Sequence, residues 1–284
     1  MRLVTEGYGL IEGPLWVPDH GLLFSDVLFG GVFALAPDGE VRELFPHRKG
    51  IGGMSLHAAG GVVVSGRNIG YKAFAGGATL TFLERDEARG LVGFNDITTD
   101  AAGRLYAGGL GASPVFADGR DPATENLYLI DLDGSTRVVA RDVRLTNGLA
   151  FSPDGQRLYH SDSARRLVAC YDVTADGSLG PKETFVTTAR GAPDGLVVSD
   201  DGRVWVALAG GGGVGVYNAD GTESDFLEIP HPMCTSVCFG GEELSQLYVV
   251  SGSDGLDGDR RGGVFVTETN ARGVPVAPCR VPLP

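Results

Sequence analysis

One short phrase recurs six times along the chain, and its spacing restricts the fold more than any other feature. Read in register, the copies are Ile11-Glu12-Gly13-Pro14-Leu15-Trp16, Ile51-Gly52-Gly53-Met54-Ser55-Leu56, Phe94-Asn95-Asp96-Ile97, Thr146-Asn147-Gly148-Leu149-Ala150-Phe151, Pro193-Asp194-Gly195-Leu196-Val197-Val198 and Cys234-Thr235-Ser236-Val237-Cys238-Phe239. The lead positions 12, 52, 95, 147, 194 and 235 lie 40 to 52 residues apart. A period of roughly 40 to 50 residues made of short strands is the signature of a propeller. Each copy is followed by a Gly-containing turn and a second strand, as in Pro153-Asp154-Gly155-Gln156-Arg157 before Leu158-Tyr159-His160-Ser161-Asp162. An Asp-Gly pair between β-branched and aromatic runs is a hairpin signal. A third and fourth strand complete most units, and blade two is the least regular, around residues 71–83. Almost nothing in the chain has a helical period. The expectation is an all-β protein, a six-bladed β-propeller with four antiparallel strands per blade around a central channel. Residues 1–284 are assigned to that single domain, closed by residues 2–4 and 277–281 completing a blade from both ends.

Composition limits the partners. The chain has 45 glycines without a collagen period, which suits many tight turns. Lys and Arg total 23 against 36 Asp and Glu, a formal charge of -13. Such a chain lacks the basic surface that releases counterions from nucleic acid or docks on anionic lipid. Its acidity suits bound cations. A small molecule is therefore the expected partner, with no nucleic acid and no membrane, and the oligomeric state is left open. The N-terminus enters the first repeat without an apolar leader segment, and no apolar run is long enough to span a bilayer. Cys170, Cys234, Cys238 and Cys279 form no CxxC pair and read as buried reduced thiols. Cys234 and Cys238 flank Ser236 at strand spacing, which places both on one face. A cytoplasmic location is the expectation.

If each unit is a blade around one axis, equivalent positions form a ring. Glu12, Asn95, Asn147 and Asp194 then converge, although they are far apart in sequence. Asp-Gly and Asn-Gly also begin turns, which is an alternative account of any one of them. Four polar leads in one register, each followed by apolar strand residues, favour a site. Glu12 is the sharpest case, because Glu is a poor turn former. Two carboxylates and two amides make an all-oxygen set, the type preferred by Ca²⁺ or Mg²⁺ and accessible to Mn²⁺ or Zn²⁺.

These residues resemble the SMP-30/gluconolactonase/LRE-like (regucalcin) family over essentially the whole chain. The carriers are Glu12-Gly13-Pro14-Leu15-Trp16, Phe94-Asn95-Asp96, Thr146-Asn147-Gly148-Leu149-Ala150-Phe151-Ser152, Pro193-Asp194-Gly195 with Val204-Trp205-Val206-Ala207, and Thr235-Ser236-Val237-Cys238-Phe239-Gly240-Gly241. The resemblance implies one divalent metal ion in the channel, Ca²⁺ before Zn²⁺, Mn²⁺ or Mg²⁺. It implies Glu12, Asn147 and Asp194 as ligands, with Asn95 binding substrate or serving as a further ligand. The implied activity is hydrolysis of a sugar lactone, with Asp194 as general acid/base.

Two departures qualify that implication. Sugar-lactone members carry Arg two residues before the Asn of this motif, where this chain has Gly93. Residues 109–113 read Gly-Leu-Gly-Ala-Ser, without the acidic residue used by sugar-binding members. Unpaired sugar hydroxyls in a closed pocket cost about 1–3 kcal/mol each. The expected substrate is therefore less polar than gluconolactone, or is bound through other loops. The alternatives are a phosphotriester hydrolase of the same architecture and a non-catalytic metal-dependent binder. The long insertions at 110–125 and 252–262 are expected to lie over one mouth of the channel. Trp16, Tyr71, Phe94, His231 and Met233 are weaker candidates for its wall. His160 and Ser161-Asp162-Ser163 resemble a triad fragment, but no nucleophile elbow surrounds them.

Overall fold

The computed structural model describes residues 1–46, 48–116 and 123–284. It contains six four-stranded antiparallel sheets and two short 3-10 turns, at Glu87–Arg89 and Ser163–Arg165. The sheets are blades. Their inner strands are Ile11–Val17, Met54–His57, Gly93–Thr99, Thr146–Phe151, Ala192–Val198 and Cys234–Gly240. Each inner strand packs against the inner strand of the next blade, and the sixth returns to the first, so the sheets form a closed ring. The six-bladed propeller read from the repeat is the observed fold.

Local chemistry explains the strands. The Asp-Gly pairs read as hairpins do turn, with Gly155 at φ 69° and Gly202 at φ 82°, in the left-handed region that suits glycine. Second strands are covered on both faces by neighbouring blades, and Gly21–Asp26 is buried throughout. Their runs are accordingly almost continuously apolar rather than alternating. The core is thus divided into slabs between blades. Ile11, Phe24, Cys238, Tyr248 and Val264 fill the slab between blades six and one, while Trp205, Val214, Val237, Leu247 and Phe265 fill that between blades five and six.

Closure differs from the sequence expectation at one end. Arg2–Tyr8 is the outermost strand of blade six, paired antiparallel with Gly262–Glu268. Residues 277–281 complete no blade. They cross beneath blades two and three, where Cys279 bridges His57 in parallel and Arg280 N–H donates to Gly103 O at 2.9 Å. Cys279 and Val281 are buried with Ile97 and Leu105, so this segment seals the bottom of a slab by burying apolar surface. The four cysteines are free and buried. Cys234 and Cys238, expected on one face, enter opposite slabs. The ladder slips between Cys234 and Ser236, and a one-residue slip reverses the faces of a strand.

Candidate functional site

The same slip explains the recurring phrase. The pairing shifts between Glu12 and Leu15, Phe94 and Ile97, Thr146 and Leu149, and Pro193 and Leu196, three residues on the inner strand spanning two on its partner. A β-bulge re-aims side chains at that point. Glu12, Asn95, Asn147 and Asp194 all line one cavity of about 980 Å³ at one mouth of the channel, and Gly52 of blade two joins them. The Asn-Gly and Asp-Gly pairs of the phrase are therefore inside strands and begin no turn. The sixth lead residue, Thr235, does not reach the cavity. It is fully buried and donates to Ile11 O at 2.6 Å, joining blade six to blade one.

The glycine after the lead residue has a packing role. A Cβ on Gly148 would lie 2.4 Å from Leu196 N and 2.6 Å from Asp194 O, in the backbone of the next blade. One on Gly195 would lie 1.9 Å from Ser236 Oγ. One on Gly52 would lie 1.9 Å from Asn95 Oδ1, so this lead position is glycine to leave room for the amide of blade three. The inner strands approach so closely that only glycine fits, and this brings four polar side chains within reach of one another.

Hydrogen bonds fix the amides. Asn95 Nδ2 donates to Asn147 Oδ1 at 2.5 Å and to Thr146 O at 2.8 Å. Asn147 Nδ2 donates to Ser163 Oγ at 2.8 Å, and Ser163 donates to Pro193 O at 2.6 Å. With its nitrogen committed to Ser163, Asn147 keeps Oδ1 on the cavity side. The carboxylates are not neutralised by any cation among the described residues. Burial, then Asp194 and Asp96, push the Glu12 carboxyl well above its usual range. Burial, then Asp96, do the same to Asp194. Burial raises Asp96 to about 7. Asp194 is 5% exposed, and its Oδ1 is buried without a hydrogen-bond partner.

An orphaned carboxylate oxygen costs free energy unless something positive meets it. The donor set of Glu12, Asn147 and Asp194 is all oxygen, and no His or Cys is among the described residues that line the cavity. Among the described residues no three His, Cys, Asp or Glu side chains are placed to hold one metal ion, so a cation here would draw on amide, backbone or water oxygens besides Glu12 and Asp194. Such a set fits a hard divalent ion.

Electrostatics gives a testable sign. Unfolded carboxyls titrate near 4, whereas Glu12, Asp194 and Asp96 titrate higher in the folded chain. Between roughly pH 4 and 7 the cation-free folded protein therefore holds protons that the unfolded chain has lost. Its stability falls as pH rises through that window. A bound cation replaces those protons, so the rise in Tm on adding Ca²⁺ to EDTA-treated protein is expected to be larger at pH 7.5 than at pH 5. Equal increments would remove these carboxylates from the cation site.

Six neighbouring residues are not among the site residues expected from the sequence. Asp96 lies within the bulge of blade three and is not among the residues that line the cavity, yet its charge raises the Glu12 and Asp194 carboxyls. Ser163 orients Asn147 from a 3-10 turn, whereas in the sequence it stands out only within Ser161-Asp162-Ser163, which resembles a triad fragment. Arg48, Lys49, Arg67 and Arg85 line the blade-two side of the cavity. Other expectations divide. Phe94 and Met233 line the cavity, as do Ser113 to Phe116 and Ser253 and Asp254 of the two insertions, whose remaining part at 117–122 lies outside the described residues. Trp16 instead stacks on Tyr248 at 5.7 Å, Tyr71 packs on His57, and His231 accepts or donates at Ser251 Oγ over 2.8 Å. His160 is buried against Thr146 Oγ1 at 2.8 Å and its pKa is lowered to about 4 by burial, so it is a neutral core residue.

The departures from the sugar-lactone pattern have steric causes. A Cβ at position 93 would lie 2.8 Å from Gly66 O, because the corner at 66–67 is bridged to Phe94. No side chain fits there. At Gly109 a Cβ would lie 2.9 Å from Tyr128 Cε2, and at Gly111 2.5 Å from Ala123 O.

Residues 10–253 match the SMP-30/Gluconolactonase/LRE-like region. The chain is 33% identical to a 6-deoxy-6-sulfogluconolactonase of Pseudomonas putida over 95% of each chain. It is 30% identical to the pentonolactonase XacC of Haloferax volcanii over 96% of each. The structure of a gluconolactonase from Xanthomonas campestris superposes with a TM-score of 0.80 at 25% identity, covering 93% of this chain and 89% of that one. With its ring of bulged inner strands and this match along nearly all its length, the chain belongs to the SMP-30/gluconolactonase/LRE-like family.

Proposed function

We propose that this protein is a lactonase, a hydrolase that opens a cyclic ester with the help of one divalent cation, Ca²⁺ being the best match to the donors. Similarity to two lactonases over most of the chain supports the reaction class. The observation that carries the site is the uncompensated pair Glu12 and Asp194, facing Asn147 across one cavity, with Asp194 Oδ1 left without a partner. Glu12, Asn147 and Asp194 would hold the ion. When bound, the cation supplies Lewis acidity toward a carbonyl and a water.

The chain's own residues do the rest. Asp194 orients the attacking water, takes its proton and returns it to the ring oxygen as the C–O bond breaks. Asn95 positions the substrate, its Nδ2 already committed to blade four. Ser163 keeps the Asn147 amide from rotating. Leu10, Val27, Leu28, Phe94, Leu145 and Met233 give the cavity an apolar wall that excludes water and suits a ring less polar than a sugar lactone. The four buried thiols are in keeping with a reducing, cytoplasmic setting.

Turnover of a lactone panel and of a phosphotriester, before and after EDTA, tests this reading. The expected result is lactone turnover that is lost on chelation and restored by one cation, with apolar lactones preferred to gluconolactone. Phosphotriester turnover alone, or lactone turnover indifferent to EDTA, would contradict it.

A further inference from the structure

We propose that Arg67, with Arg48 and Lys49, forms an anion subsite, and that the lactone opened here carries one acidic substituent, a carboxylate, phosphate or sulfonate, directed toward blade two. The proposal rests on the lactonase reading and specifies its substrate. The ring remains poor in hydroxyls, and the charge is confined to one group.

The first observation is charge asymmetry. Of the residues that line this cavity, four are acidic, Glu12, Glu87, Asp194 and Asp254, and four are basic, all of them between positions 48 and 85 on the blade-two side, in a chain of formal charge -13. Without them an acidic protein would repel an anionic substrate from its own channel.

The second is availability. Arg85 is engaged by Glu87 at 2.7 Å. The other three cations have no ion pair among the described residues. Arg48 is held by neutral acceptors alone, its Nη2 donating to Asn68 Oδ1 at 2.8 Å, Asn68 O at 3.1 Å and Ser65 O at 3.3 Å. Its guanidinium is thereby fixed before any ligand arrives, while burial disfavours its charge and Glu84 compensates only in part. Arg67 and Lys49 are exposed.

The third is position. Gly66 and Phe94 exchange two backbone hydrogen bonds, Phe94 N–H to Gly66 O at 2.7 Å and Gly66 N–H to Phe94 O at 3.1 Å. This bridge places the Arg67 Cα 3.7 Å from where a Cβ of residue 93 would be. An arginine of the neighbouring blade thus joins the cavity wall beside position 93, which has no side chain of its own and lies two residues before Asn95. The fourth observation is donor chemistry. Arg and Lys only donate, so a sugar hydroxyl finds no acceptor among them for its own proton, whereas an acidic group accepts everywhere.

The test compares 5-oxooxolane-2-carboxylate with its uncharged 2-carboxamide, using wild-type protein and Arg67→Ala, with Lys49→Ala as a second variant and unchanged Tm as the folding control. Wild type is expected to prefer the carboxylate. Arg67→Ala should raise KM for the carboxylate about 10- to 100-fold, the usual effect of losing a charge-assisted hydrogen bond, and leave the carboxamide unaffected. Phosphate- and sulfonate-bearing δ-lactones identify the preferred acid. Equal wild-type kcat/KM for carboxylate and carboxamide, or equal loss of both in Arg67→Ala, would overturn the subsite while leaving the lactonase intact. If no lactone is turned over, the lactonase reading fails, and calorimetry with the ring-opened 2-hydroxyglutarate decides the subsite. Binding weakened at least about tenfold by Arg67→Ala supports it, and no binding to wild type overturns it.

Discussion

Replacing Asp194 by Asn is expected to lower lactone kcat/KM by about a thousandfold, within the range for loss of a general acid–base group. The substitution keeps the volume and removes the proton acceptor and the charge. Glu12→Gln is expected to fail differently. It removes charge from the cation site and no proton-transfer group, so its activity should return in part at high cation concentration, while that of Asp194→Asn should not. Both variants are expected to melt higher than wild type in EDTA, since each removes a buried carboxylate that no cation compensates in that state. A gain in stability together with loss of turnover separates a functional carboxylate from a structural one. Activity assays at several cation concentrations and melting curves in EDTA read both effects.

The second large effect is structural. Gly148→Ala is expected to destabilise the protein by about 3 kcal/mol or more, at the upper end of overpacking. The added methyl would meet Leu196 N at 2.4 Å, Asp194 O at 2.6 Å and Gly195 C at 2.8 Å. All three are backbone atoms of the adjacent blade, so no side chain can rotate away. Relief requires the inner strands of blades four and five to separate, and that also moves Asn147 away from Asp194. Denaturant unfolding measures the first consequence, and cation affinity the second. Gly148 is not at a positive φ, so its cost is overpacking alone, whereas Gly155→Ala, with open space around its Cβ, carries only the strain of φ 69°.

Much of this arrangement is legible in the sequence, and what is not has physical causes. The repeat spacing, the hairpin turns and the identity of Glu12, Asn95, Asn147 and Asp194 as one ring follow from register alone, because a propeller makes sequence period into rotational equivalence. The bulge is not legible. It adds one residue to a strand without a composition signal, and it is what sends Cys234 and Cys238 into different slabs. The packing role of the lead-phrase glycines is not legible either, since contact between strands 40 or more residues apart leaves no local trace. Gly93 read as a lost guanidinium. Its neighbour in space, Arg67, lies 26 positions earlier, and only the Gly66–Phe94 bridge connects them. The place of the C-terminal segment is not legible for a similar reason, as a short apolar run fits a blade edge and a slab floor equally well.

The central claim is that Glu12, Asn147 and Asp194 hold one cation on which turnover depends. Calorimetric titration of EDTA-stripped protein with Ca²⁺ at pH 6, in two buffers of different ionisation enthalpy, tests it most directly when turnover is followed in the same samples. The account predicts one ion per chain, protons released as it binds, turnover rising in proportion to occupancy, and loss of all three in Glu12→Gln at the same cation concentration. Full turnover by the stripped protein, or unchanged Ca²⁺ binding by Glu12→Gln, would contradict it.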